Sequence, residues 1–179
     1  ATSPPSASWS GPIWAGQTHL QIQSNACVKT TAPSNDYWNV SIFGASECYA
    51  TLTTLPGTGG EVHLYVRLAN PGTATLDGYI CLYMRSAGTD TVQIYRIDDE
   101  VTTQLGATIS QDFADGDKMG LEAIGSTIQA YRHDGASWAS LGSRTDAPYA
   151  TGYIGLPLDS GAPNPVVDDF GGPTAMRAF

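Results

Sequence analysis

Between residues 61 and 97 the chain alternates apolar and polar side chains in three closely spaced segments, 61–68, 78–85 and 91–97. In the first, Val62, Leu64, Val66 and Leu68 share one face, and His63, Tyr65 and Arg67 share the other. In the second, Ile80, Leu82 and Met84 oppose Tyr79, Cys81, Tyr83 and Arg85. In the third, Val92 and Ile94 oppose Gln93 and Tyr95. Period-two alternation bounded by turn residues predicts half-buried antiparallel strands, with the aliphatic set facing a core. A solvated sheet face is usually rich in Ser, Thr and Lys; here it repeats tyrosine followed two residues later by arginine. Tyr65, Arg67, Tyr83, Arg85 and Tyr95 are therefore expected together on one face, with His63, Gln93, Glu122 and Gln129 as neighbours.

The same period recurs at 19–23 and 47–55, and further strands are expected at 36–43, 152–158 and 165–170. A weaker strand is expected around 102–110. Segments 116–125 and 126–133 read as a hairpin turning at Gly125-Ser126, a glycine-first loop that matches strand twist. Asn70-Pro71-Gly72 and Ala87-Gly88 supply further turns. No segment of useful length carries helical periodicity. About a dozen short strands without helices predict an all-β, two-sheet antiparallel β-sandwich of the jelly-roll kind.

Length adds one constraint: 179 residues suit a single core better than two. Residues 1–15, opening with a Pro/Ser-rich run, read as an extended arm or linker, and 16–179 as one domain. Seventeen acidic against eight basic residues give a net charge of −9. That charge would repel a phosphate backbone, so nucleic acid is excluded as an expected partner. No apolar run approaches the ~20 residues of a membrane helix, so membrane insertion is not expected either. The cysteine count of three leaves at least one thiol without an intrachain partner. The alternatives are a reducing compartment, or one bridge and a spare thiol.

Six features, in order, carry a resemblance: the run EVHLYVRL at 61–68, Gly78-Tyr79, GDKMGL at 116–121, the strand at 128–132, GYIGL at 152–156 and VDDFGG at 167–172. They resemble the concanavalin A-like lectin/glucanase superfamily, in its laminin-G-type jelly-roll form, and the resemblance covers 38–172. The resemblance implies two curved antiparallel sheets, the concave one often binding carbohydrate. It also implies a structural Ca²⁺ in many members, held by a carboxylate of the final strand, the position of Asp168 here, with Asp169 beside it. The alternative for Asp168 is a solvent-facing edge position.

Catalysis is not expected. Glycoside hydrolysis needs two carboxylates held ~5–10 Å apart, and the Glu-x-Asp-x-x-Glu strand of the glucanase branch is absent. The densest acidic run, Asp98-Asp99-Glu100, falls at a turn. The Gln-x-His pair of the alginate-lyase branch is also missing, since Gln93-Ile94 is followed by Tyr95. His19, His63 and His133 have no nucleophile placed beside them in sequence.

The resulting expectation is a non-catalytic module that binds a glycan or polysaccharide through its Tyr/Arg face. By analogy it would sit on a virion surface, such as a bacteriophage head or fibre, or outside the cell. Two alternatives stay open. One is a structural decoration protein that docks on capsid or other virion proteins or forms a homo-oligomer, since interfaces also favour Tyr and Arg. The other is a secreted polysaccharide-degrading enzyme with an unrecognised site.

Overall fold

The computed structural model describes residues 6–30, 33–159 and 161–172. Among them lie fifteen strands: β1 (Trp9–Ser10), β2 (Gln21–Gln23), β3 (Ala26–Val28), β4 (Ser34–Phe43), β5 (Ser46–Thr54), β6 (Glu61–Ala69), β7 (Asp77–Met84), β8 (Thr91–Asp98), β9 (Val101–Gln104), β10 (Ile109–Ser110), β11 (Lys118–Ile124), β12 (Thr127–His133), β13 (Trp138–Thr145), β14 (Gly152–Leu158) and β15 (Val166–Gly171). They form two antiparallel sheets. One runs β1-β4-β14-β6-β7-β8-β10, with β9 also paired to β8, and the other runs β13-β12-β11-β5-β15-β3-β2. This is the sandwich that the alternation predicts. Residues 1–5 of the expected arm lie outside the described residues. From Trp9 onward the segment is packed on the sheet: Trp9 pairs with Trp38, Ser10 with Tyr37, and Ile13 is fully buried.

The main core lies between the sheets. Val62, Leu64 and Val66 of β6 and Val92 and Ile94 of β8 share it with Leu52, Met119, Leu121, Ile128 and Val167 from the other sheet. At this point β7 departs from expectation. Val62 pairs with Tyr83, Leu64 with Cys81 and Val66 with Tyr79. Residues directly opposite in a ladder share a face, so Tyr79, Cys81 and Tyr83 enter the core, while Ile80, Leu82 and Met84 point away from it. Both faces of β7 are apolar enough to be buried. Its own alternation therefore leaves the facing open, and the register with β6 and β8 decides it. Tyr83 keeps its hydroxyl satisfied by donating to Asp90 Oδ2 at 2.6 Å.

A second departure follows in β6. Its pairing with β7 shifts between Val66 and Ala69, and Arg67 adopts a left-handed backbone with φ of 54°. Such a bulge sends the residues after it to the opposite faces. Leu68 joins the outer cluster with Tyr65, Ile13 and Ile80. Arg67 turns inward and is 2% exposed. Its guanidinium donates to Gly44 O through Nε (3.3 Å) and Nη2 (3.1 Å), to Gly125 O and Tyr149 O through Nη1 (2.8 and 2.9 Å), and to Ala123 O through Nη2 (3.1 Å). All five N–H donors of the fork are used. Burial holds the guanidinium below its ordinary pKa. Gly152 makes the bulge possible, because a Cβ there would sit 2.2 Å from the Arg67 carbonyl carbon.

Cys27, Cys48 and Cys81 are free thiols, all buried. Burial pushes Cys27 up to about 12, with the charges of Asp36 and Asp168 adding to the effect, and it raises Cys48 and Cys81 as well. A thiol so far from its thiolate form is a poor nucleophile.

Two measurements check this account. Arg67→Met leaves four buried carbonyls without their donor and is expected to cost about 3 kcal/mol or more. The midpoint of thermal unfolding should then fall by roughly 6–12 °C, and Arg67→Lys should recover only part of that loss. An aromatic disulfide reagent at pH 8 should titrate no thiol in the native protein and all three cysteines after denaturation. Rapid native titration would contradict the burial.

Candidate functional site

The outer face of the eight-stranded sheet, turned away from the main core, is the face on which β6 places His63 and Tyr65. Across the ladder His63 pairs with Leu82 and Tyr65 with Ile80. Leu82 in turn pairs with Gln93, and Ile80 with Tyr95. Two rows therefore cross three strands, His63–Leu82–Gln93 and Tyr65–Ile80–Tyr95. The tyrosines flank an isoleucine floor and stand two strands, about 10 Å, apart.

The segment before β2 closes one side of this face. Asn35 Oδ1 accepts from the backbone N–H of Ile13 and from that of Trp14, the latter at 3.2 Å. Asn35 Nδ2 donates to Gln17 Oε1. Gly155 on β14 lets Ile13 lie flat on the sheet, since a Cβ there would meet Ile13 Cδ1 at 2.7 Å. Trp14 thus reaches the Tyr65 row, and its indole N–H donates to Tyr65 Oη at 2.9 Å.

The result is a cleft of ≈ 370 Å³. Half-buried Trp14 and Tyr95 supply aromatic surface, with Tyr65 buried behind them at 1% exposure, Ile80 and Leu82 an apolar floor, and Gln17, His63, Thr102 and Asp159 polar edges. The wall is held by its own hydrogen bonds. His63 Nε2 lies 2.9 Å from Glu61 Oε2, and Nδ1 lies 3.5 Å from Tyr65 Oη. An ionised carboxylate only accepts, so Nε2 carries a proton towards Glu61. The His63 and Tyr65 rings stack at 6.1 Å and 28°. Burial is the main cause that raises the Tyr65 pKa, opposed by the Trp14 hydrogen bond and reinforced by the charges of Glu61 and Asp159. Tyr65 is consequently a neutral phenol at any physiological pH. Tyr95 donates to Gln93 Oε1 at 2.8 Å, which leaves its oxygen lone pairs free to accept.

Of the five residues expected on one binding face, the structure brings Tyr65 and Tyr95 together there. Tyr83 lies in the main core, and Arg67 is turned into the sandwich by the bulge. Arg85 stands elsewhere, 3.5 Å from Asp90, lining a separate cavity of ≈ 570 Å³ with Phe113 and Asp115. Gln93 and His63 belong to the Tyr65 face. Glu122 and Gln129 face each other in the opposite sheet, on β11 and β12. Trp14, Gln17 and Asp159 are cleft residues that no periodicity singles out, because they lie outside the alternating runs and arrive through loop packing.

Calcium is not supported by the donor set around Asp168. Among the described residues, no group of three or more His, Cys, Asp or Glu could hold a metal ion. Asp168 is exposed in β15, and its Oδ1 accepts the Asp169 backbone N–H at 2.8 Å. The neighbouring Asp169 carboxylate is engaged with Thr51 Oγ1 at 3.1 Å and Lys118 Nζ at 3.5 Å. A cation beside the second carboxylate is the opposite of what a site needing six to eight oxygens requires.

No protein-family profile matches the chain, and no curated protein matches its sequence. Solved structures do. A carbohydrate-binding module, CBM66 from Bacillus subtilis, superposes with a TM-score of 0.69 at 14% identity, covering 93% of this chain and 96% of that one. The exoplasmic/lumenal domain of VIP36, in a Ca²⁺/Man-bound form, gives a TM-score of 0.65 at 13% identity, with 95% and 86% covered. A native glycosidic hydrolase gives 0.63 at 14% identity, with 93% and 89% covered. The fold is that of the concanavalin A-like lectins and glucanases. At these identities the likeness establishes architecture, and that architecture hosts both binding modules and hydrolases.

The hydrogen-bonded wall makes a local prediction. Tyr65→Phe deprives the Trp14 indole N–H of its acceptor and should lower stability by about 1 kcal/mol. Trp14 fluorescence should change with it. An unaltered emission spectrum would mean that the indole is not held by Tyr65.

Proposed function

We propose that this chain is a non-catalytic carbohydrate-binding module whose ligand lies in the cleft between Trp14, Tyr65 and Tyr95. The observation that carries the reading is the pairing of flat aromatic surface and apolar floor with oxygen acceptors at the edge. Sugar rings present C–H faces that pack on aromatic rings and hydroxyls that donate to Tyr, Gln and carboxylate oxygens. The wall is preorganised through Glu61, His63 and Trp14, so little side-chain freedom is lost on binding. Similarity to a carbohydrate-binding module and to a mannose-bound domain supports the same class of ligand. Recognition is proposed without calcium, given the donors around Asp168.

A second reading has its own observation. On the opposite sheet Trp138 packs edge-on against Tyr49 at 6.0 Å, Tyr131 at 6.4 Å and His133 at 5.2 Å. Lys118 Nζ stands 5.4 Å from the Tyr49 ring centre. This half-exposed aromatic patch crosses β5, β11, β12 and β13, the last being the terminal strand of its sheet, and suits a protein partner such as another subunit of an assembly. Display on a virion or outside the cell, with capsid proteins or sister copies as neighbours, rests on the sequence-level analogy alone.

Affinity electrophoresis through a panel of polysaccharides tests the first reading. At least one polymer should retard the wild type, and Tyr95→Ala should weaken that retardation about tenfold. Tyr83→Phe, which changes only the core, should leave it intact, and chelating calcium should have no effect. Retardation by no polymer would remove the reading, and steady release of reducing ends would replace it with catalysis. Light scattering addresses the second reading, which requires self-association or co-purifying subunits that Trp138→Ser abolishes.

A further inference from the structure

We infer that the cleft selects neutral glycans and rejects uronate-bearing and sulfated ones. The inference rests on the carbohydrate-binding reading and narrows its ligand class. Its basis is where the protein's few cations go. Arg67 is fully engaged by backbone carbonyls inside the sandwich. Arg96 pairs with Asp98 at 2.5 Å and Asp146 at 3.2 Å, and Arg132 with Asp117 at 2.8 Å. Arg85 and Lys118 are placed against Asp90 and Asp169, each at 3.5 Å. Arg144 donates to Leu105 O at 2.5 Å and to Ala107 O. No described Lys or Arg lines the cleft.

What the cleft presents instead is negative or neutral. Asp159 stands at its edge. Its backbone N–H donates to Glu61 O at 3.1 Å, which ties the segment after β14 to the start of β6. The Glu61 carboxylate lies behind His63 and takes that ring's proton-bearing nitrogen. The charges of Glu61 and Asp159 both reach the Tyr65 phenol, where they oppose its ionisation. The same field opposes any anionic group carried in by a ligand. Bidentate arginine forks and lysine ammonium groups are the usual partners of carboxylates and sulfates, and among the described residues none lines the cleft. A net charge of −9 adds a repulsion that acts at longer range. Carboxylate and amide oxygens do accept well from sugar hydroxyls, the donors that a neutral sugar offers in quantity.

Polymers matched in backbone and differing in the charge of their substituents make the test: dextran against dextran sulfate, and hydroxyethyl cellulose against carboxymethyl cellulose. At 0.05 M salt the neutral member of any recognised pair should bind at least about tenfold more tightly than the charged one. Raising salt to 0.5 M should leave neutral binding nearly unchanged. Asp159→Lys should narrow the gap by improving the charged member, and Asp159→Asn should narrow it less. Equal or tighter binding of the charged member would overturn the inference while leaving the carbohydrate reading standing. Failure of both members in every pair would overturn the two together.

Discussion

The structure depends on a buried guanidinium that has no carboxylate among its hydrogen-bond partners. Arg67 is held by four carbonyls, from Gly44 in the β4–β5 turn, Ala123 and Gly125 in the β11–β12 hairpin, and Tyr149 before β14. Desolvating a charge is costly, and the cost is offset only when every donor is satisfied with good geometry. All five are. The consequence is that turns belonging to both sheets converge on one side chain at the end of the sandwich. The left-handed backbone at Arg67 that allows this also reverses the facing of the residues after it. One local irregularity thus fixes the end of the sandwich and hands Leu68 to the outer cluster beneath the cleft.

That outer cluster explains why the cleft exists on this face. Ile13, Leu68, Leu76, Ile80 and Ile97 bury apolar surface on the side of the sheet that faces away from the main core. They are capped by the segment carrying Trp14, which Asn35 fastens through two backbone N–H groups. The covering is partial. Where it ends, Tyr95 emerges on one side of Ile80, Tyr65 stays buried on the other under Trp14, and the loop after β14 brings Asp159 to the edge. Binding surface and second core are therefore one packing arrangement. A change such as Gly155→Ala, which lifts Ile13, would disturb both.

Much of the fold was legible in the chain. Alternation placed β6, β7 and β8 close to where they are, the Gly125-Ser126 turn joins β11 to β12 as expected, and the strand expected at 152–158 is β14. Legibility failed at β7, where Tyr79, Cys81 and Tyr83 offered one buriable face and Ile80, Leu82 and Met84 another. A hydrophobic pattern states that a strand has two faces, but when both are apolar it cannot name the inner one. It failed again at Arg67, since a bulge leaves no mark in a period-two pattern. Trp14 and Asp159 were illegible for a third reason: loop residues gain their neighbours from packing, not from spacing.

The sequence by itself determined the all-β class, the jelly-roll resemblance and a surface short of cations, because strand period, turn residues and charge count are local or additive properties. It also put Tyr65 and Tyr95 on one sheet face, since that facing follows from strands with one clearly aliphatic side. Only the tertiary structure decided that Tyr83 is core, that Arg67 is a clasp, and that Trp14 completes the aromatic wall. Those outcomes depend on ladder register, on a backbone irregularity and on the path of a covering segment. Each is settled by which contacts can be made simultaneously, and no single stretch of sequence contains that information.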